Sequence, residues 1–152
     1  MDRLVYLIYR AFGALLRTLP LPLVFRVGEV IGWLGYYVVG PYRRLVLNNL
    51  LIAFGSEQSP KERRQLARRH FTRLVANLLC SIKVGGMSRE QVRAIVEPEG
   101  TEMLDKVFAS GRGVVFFISH FGNWELMSQS MPLLYGHIPQ GTVYQRLGNP
   151  YI

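Results

Sequence analysis

Cysteine occurs once in the chain, at Cys80, which removes a disulfide framework and a thiolate metal cluster from consideration. A lone thiol suits a reducing compartment and reads as a small buried apolar residue. Acidic residues are scarce as well. Ten Asp+Glu stand against eighteen Lys+Arg, a net charge of +8, so the complementary partners are acidic: anionic lipid, nucleic acid or an acidic carrier protein. Internal repeats, low-complexity segments and recognisable nucleic-acid motifs are absent, and so is the His-Glu-x-x-His spacing of a zinc site. The 152 residues are enough for one domain, and a hydrophobic content of 49% places the chain between soluble and polytopic membrane proteins, where membrane-surface proteins sit.

No long charge-free apolar run opens the chain either. Arg10 interrupts MDRLVYLIYRAFGALLRTLP and no small-residue cleavage site follows, which argues against a signal peptide. Arg3, Arg10 and Arg17 recur every seven residues on one helical face, with Leu4, Leu7, Ile8, Ala11, Leu15 and Leu16 largely opposite. The pattern predicts an amphipathic interfacial helix ended by Pro20; a basic core helix of a globular domain is the alternative. The next apolar stretch is broken by Arg26 and Glu29, and VIGWLGYYVVGPY is shorter than the roughly 20 residues of a spanning helix. Trp33, Tyr36, Tyr37 and Tyr42 beside Arg43 and Arg44 match aromatic residues at headgroup level, and one tilted span containing Arg26 is the competing arrangement. Residues 1–55 are therefore expected to form a membrane-associated helical region.

Beyond residue 55 the punctuation is clear. Ser59, Pro60 and Glu62 form a capping-box start, and apolar residues continue at helical spacing from Leu66 to Ile82 until Gly85-Gly86. The basic first turns of this helix lack aromatic interleaving, so nucleic acid is not the expected partner. Ser88 with Gln91 marks another cap before VRAIV, either a short helix or a strand, and Thr101 to Ser110 suits a helix closed by Gly111. GVVFFIS, residues 113–119, reads as a strand buried on both faces, Trp124 to Leu134 as a helix and GTVYQ as a second strand. The expected class is α/β, with N-terminal membrane-associated helices and a helix-flanked sheet over residues 56–152. Such a sheet lacks enough strands in this chain, so it is expected to stop after its first βαβ unit, as a C-terminally truncated fragment would.

His120 and Glu125 stand where that strand would meet its helix. On one continuous helix, residues five apart point about 140° away from each other. Across a turn at Gly122, with Asn123 as N-cap, Glu125 falls in the first helical turn and its side chain can fold back toward His120. A carboxylate on one imidazole nitrogen leaves the other free as a base, with the substrate's own hydroxyl as nucleophile. A capped helix carrying an incidental His and Glu fits the spacing equally well.

His120-Phe-Gly-Asn-Trp-Glu125, after GRGVVFFIS, resembles the HX4E block of the bacterial lipid A biosynthesis acyltransferases, the lauroyl/myristoyl branch of the lysophospholipid acyltransferase superfamily. NNLLIAFGSEQSPKERRQLARRHF, EPEGTEMLDKVFASGRGVV and VYQRLGNPYI resemble further segments of that family, so the likeness covers essentially the whole chain. It implies an enzyme on the cytoplasmic face of the inner membrane that moves an acyl chain from the acyl carrier protein thioester to a hydroxyl of a lipid A precursor, without metal or other cofactor. His120 would be the general base and Glu125 its orienting partner, with Asn123, Gln145 and Arg146 as substrate-binding candidates. Acyl carrier protein and an anionic membrane surface both suit the positive charge. Where the family usually reads Val-Tyr-Arg-Pro this chain has Val143-Tyr144-Gln145-Arg146, which moves the basic side chain by one position. Pro98-Glu99-Gly100-Thr101 resembles the superfamily's phosphate block, but precedes the histidine and reads as a turn before a helix. A phospholipid or other glycolipid acyltransferase with the same dyad, or an inactive membrane- or carrier-binding fragment, are the alternative functions.

Residues 1–55 are expected to hold the protein on anionic bilayers, with affinity weakened by salt but not abolished. In liposome co-sedimentation, a chain beginning at Ser56 should stay in the supernatant while the complete chain pellets.

Overall fold

Prolines and small polar caps divide the first 86 residues into four helices. In the computed structural model, which describes residues 2–143, these are α1 (Asp2–Thr18), α2 (Leu21–Val38), α3 (Gly40–Phe54) and α4 (Pro60–Val84). α2, α3 and α4 each carry a proline in the first turn, where its missing N–H has no intrahelical partner to lose. The α4 start is a closed capping box: Ser59 N–H donates to Glu62 Oε2 at 2.7 Å and Glu62 N–H to Ser59 Oγ at 3.3 Å. Arg63 ties the preceding loop down by donating to the carbonyls of Gly55 and Gln58. The described residues divide into two compact units, 2–86 and 87–143.

In the first unit α2 lies along α4, and glycine allows the approach. A Cβ at Gly28 would stand 2.4 Å from Ala76 Cα, and one at Gly32 would stand 2.3 Å from the Phe71 carbonyl oxygen, so the two backbones touch. Leu16, Val24, Leu79 and Cys80 form one buried cluster along this contact, and Tyr36, Val46, Ala67 and Phe71 form a second. Cys80 is buried and free, and burial pushes its thiol above the ordinary value, which suits an inert packing residue. α1 docks through Gly13 and Leu16, and Lys83 donates to the Arg17 carbonyl at 3.1 Å, placing a cation at the negative end of α1. The remainder of the apolar surface of α1, including Leu4, Leu7, Ile8 and Leu15, is exposed. Among the described residues no single helix is long and apolar enough to cross a membrane; α2 and α3 reach that composition only as a pair, bent by 93°.

The second unit holds α5 (Arg89–Arg93), α6 (Glu102–Ala109) and α7 (Trp124–Leu134). Ser88 and Gln91 close a second capping box, but the helix it starts ends at Arg93, so of VRAIV only Val92 and Arg93 are helical and residues 94–96 form a turn and irregular chain, not a strand. Arg93 donates to the Leu133 carbonyl at 2.7 Å, joining α5 to the end of α7, and the Tyr135 hydroxyl donates to Asp105 Oδ1 at 3.0 Å, joining that end to α6.

The expected α/β class is overturned. The described residues hold seven helices and no strand, so neither a βαβ unit nor a helix-flanked sheet is present among them. GVVFFIS is irregular and open: Phe117 is 97% exposed and Val115 80%. Of GTVYQ, residues 141–143 are irregular, and Tyr144 and Gln145 lie outside the described residues. The physical reason is that β-branched and aromatic composition describes what a strand would bury, whereas a strand exists only through hydrogen bonds to a neighbour. Residues 113–119 have no such neighbour among the described residues.

Two outcomes follow from the packing. Gly32→Ala and Gly28→Ala should gain up to about 1 kcal/mol in helix propensity but lose about 1–3 kcal/mol to overpacking against backbone, so both should lower the thermal midpoint in detergent. Gly40→Ala, where a Cβ would meet nothing within 4 Å, should not lower it. Hydrogen bonds from Ser59, through the side chain first and the backbone second, hold the Glu62 carboxyl below its ordinary value of 4.5. Its contribution is present above that value and lost as pH falls through the lower folded-state value, so melting curves of Ser59→Ala across acidic pH should show a shallower loss than the parent.

Candidate functional site

The HFGNWE segment folds as a tight turn running into α7. Phe121 N–H donates to the Ser119 carbonyl at 2.7 Å, a three-residue closure centred on His120. No non-glycine residue among those described has a positive φ, so this is the inverse form of the γ-turn. Gly122 then takes φ +62, a conformation that a side chain would strain, and reverses the chain. Asn123 Oδ1 accepts from Leu126 N–H at 3.1 Å and starts the helix, which puts Glu125 in the first turn, near the positive end of the dipole.

The structure brings His120 and Glu125 to either side of one short turn but does not join them. The His120 imidazole is exposed and packs against the Trp124 indole, with centroids 4.4 Å apart and planes at 60°. No hydrogen bond or ion pair between His120 and Glu125 occurs among the described residues. Glu125 is half-buried. Trp124 is therefore the contact that sequence reasoning missed, although it sits four residues after the histidine in the same motif. Asn123 serves as a cap, with its amide oxygen directed to the helix backbone. Gln145 and Arg146, the other substrate-binding candidates, lie outside the described residues.

Apolar groups surround the histidine in sequence and stand open, Phe121 at 87% and Phe117 on the other side of Ser119. Elsewhere in this unit a shallow cavity of about 340 Å³ is lined by Asp105, Phe108, Tyr135 and His137, among others; neither His120 nor Glu125 reaches it. Burial, assisted by the bond to Asp105, pushes the Tyr135 phenol above its usual value, so it stays a neutral donor that links α6 to the end of α7.

The turn thus holds an imidazole able to take a proton and, five residues on, a carboxylate able to orient it, beside open apolar surface. Neither a curated protein nor a solved structure matches this chain. The profile of one protein family does, over residues 1–152, so that the whole chain including the His120–Glu125 turn falls within the match. The chain belongs to the bacterial lipid A biosynthesis acyltransferase family.

Proposed function

We propose that the protein is an O-acyltransferase that moves a fatty acyl chain from an acyl carrier protein thioester to a hydroxyl of a lipid A precursor, at the cytoplasmic face of the inner membrane. The observation that carries this reading is the placement of His120 and Glu125 on one glycine-hinged turn within a chain that the family profile matches throughout. One ring nitrogen of His120 takes the proton of the acceptor hydroxyl as its oxygen attacks the thioester carbonyl carbon. The C–O bond forms, the C–S bond breaks, and the leaving thiolate takes the proton from the imidazolium. Glu125 accepts from the other ring nitrogen and stabilises the charged ring. That contact requires the imidazole to turn away from Trp124, a side-chain rotation at an exposed position.

Three further features support the assignment. Phe117 and Phe121 offer apolar surface next to the base for an acyl chain. The net charge of +8 complements an acidic carrier and an anionic lipid. The open apolar side chains of α1 fit insertion at a bilayer surface, whose apolar interior would cover them.

In an active protein carrying this chain, assayed with acyl carrier protein thioester and a lipid A precursor, His120→Ala should lower turnover by roughly 10²- to 10⁴-fold with little change in acceptor binding. Glu125→Gln should fall steeply too, and the double variant should be scarcely worse than His120→Ala alone, because the two groups act as one unit. Near-normal turnover by His120→Ala would remove the mechanism.

A further inference from the structure

α2 has two unlike faces. The glycine face is closed by α4. On the other, Leu23, Val27, Val30, Leu34 and Tyr37 follow one another at spacings of four and three residues and are all exposed, which makes a continuous apolar stripe along the helix. The stripe is about 21 Å long at 1.5 Å per residue. Because the opposite face is packed along α4, α2 presents this stripe sideways rather than end-on.

At the end of the stripe the chemistry changes from apolar to cationic. Arg43 and Arg68, from α3 and α4, both stand over the Tyr36 ring, at 5.4 and 5.5 Å from its centroid, and Arg68 also stands 5.8 Å from the Tyr37 centroid. Trp33 and Tyr37 pack edge-on beside them and are both half exposed. Neither arginine pairs with a carboxylate among the described residues. Among the described residues the ion pairs are Arg26 and Arg73 with Glu29, so the one acid on α2 is committed elsewhere. Arg43 also donates to the Tyr36 carbonyl at 3.0 Å, which fixes it at the bend between α2 and α3. Among the described residues the Arg68 side chain makes no hydrogen bond. Two guanidinium groups are thus held around one ring with no counter-charge among the described residues, next to aromatic residues of the kind that settle at a membrane interface.

We infer that the exposed apolar stripe of α2 is the surface by which the protein seats on an anionic bilayer, with Leu23 to Tyr37 among the acyl chains and Arg43 and Arg68, at the margin of the stripe beside Tyr36 and Tyr37, against phospholipid phosphates. The inference rests on the membrane-bound reading above and goes beyond it by naming the contact face and the residues that select anionic lipid. Charge decides between this occupant and a second copy of the chain, because a symmetric pairing on the stripe would carry the same uncompensated arginines into the contact, whereas a phosphate layer neutralises them.

The test is binding of the full chain to vesicles of phosphatidylglycerol and, separately, phosphatidylcholine, read by co-sedimentation at fixed ionic strength. The parent should prefer phosphatidylglycerol. Arg43→Gln and Arg68→Gln should each weaken that binding by about fivefold, while Arg69→Gln, an exposed arginine of α4 outside the aromatic cluster, should weaken it less than twofold. Arg68→Lys should restore most of the loss, and Val30→Glu in the middle of the stripe should weaken binding to both lipids. Circular dichroism melts identify any variant that has lost its fold; Arg68→Gln removes no hydrogen bond among the described residues and keeps the comparison decisive. A parent that pellets with neither lipid overturns both this inference and the membrane-bound reading, and one that binds both lipids equally overturns this inference alone. Losses no larger than that of Arg69→Gln, or calorimetric uptake of inorganic phosphate by the pair with vesicle binding unchanged in their variants, overturn the inference alone. So does a dimer that Val30→Glu converts to monomer without loss of vesicle binding.

Discussion

Everything in the first unit depends on two helices coming close enough for their backbones to touch. At Gly28 and Gly32 α2 has no side chain, and the space that a methyl group would fill is occupied by the main chain of α4 at Ala76 and Phe71. Once the axes are that close, Val24 reaches Leu79 and Cys80, and Tyr36 reaches Phe71 and Ala67, so the two buried clusters form along one line of contact. The same approach fixes what is left outside. With Val24, Gly28, Gly32 and Tyr36 turned to α4, Leu23, Val30 and Leu34 fall on the other side of the helix and are open. The exposed apolar surface of α2 is the complement of a well-packed interface.

The second unit is organised by capping. Its three helices are short, and polar groups aimed at helix ends do much of the joining: Ser88 and Asn123 at starts, Arg93 at the last turn of α7, and Tyr135 reaching Asp105. The HFGNWE turn belongs to this style of construction. Asn123 holds the helix start and Gly122 the reversal, which sets where His120 and Glu125 emanate from the backbone but leaves the imidazole rotamer to be decided by its neighbour, Trp124.

What could be read in the sequence was what a few neighbouring residues decide among themselves. Both Ser capping boxes, the Asn123 cap, the stop of α1 before Pro20 and the bounds of α7 are local, and each is found where the side-chain chemistry puts it. So was the membership of the family, because the HFGNWE motif is contiguous. The sheet was not legible in the same sense. GVVFFIS states that these residues would suit burial on two faces, but strand character is a property of a pair, and no pairing partner is found among the described residues. The close contact of α2 with α4 was missed for a related reason. Gly28 and Gly32 at a spacing of four are visible in the sequence, yet which helix they admit depends on residues more than thirty positions away. The His120–Trp124 contact was hidden differently, since spacing places side chains on a turn without choosing their rotamers.

That separation along the chain has a kinetic consequence. Helices usually fold fast because their contacts are local, but the contacts that define this core join residues of α2 to residues of α4 roughly 40–50 positions later. At a synthesis rate of about 5–20 residues per second, α2 leaves the ribosome about 2–10 seconds before the segment that covers its glycine face. During that interval both of its faces are bare, so the nascent chain has greatest need of a chaperone or a lipid surface before α4 has been made.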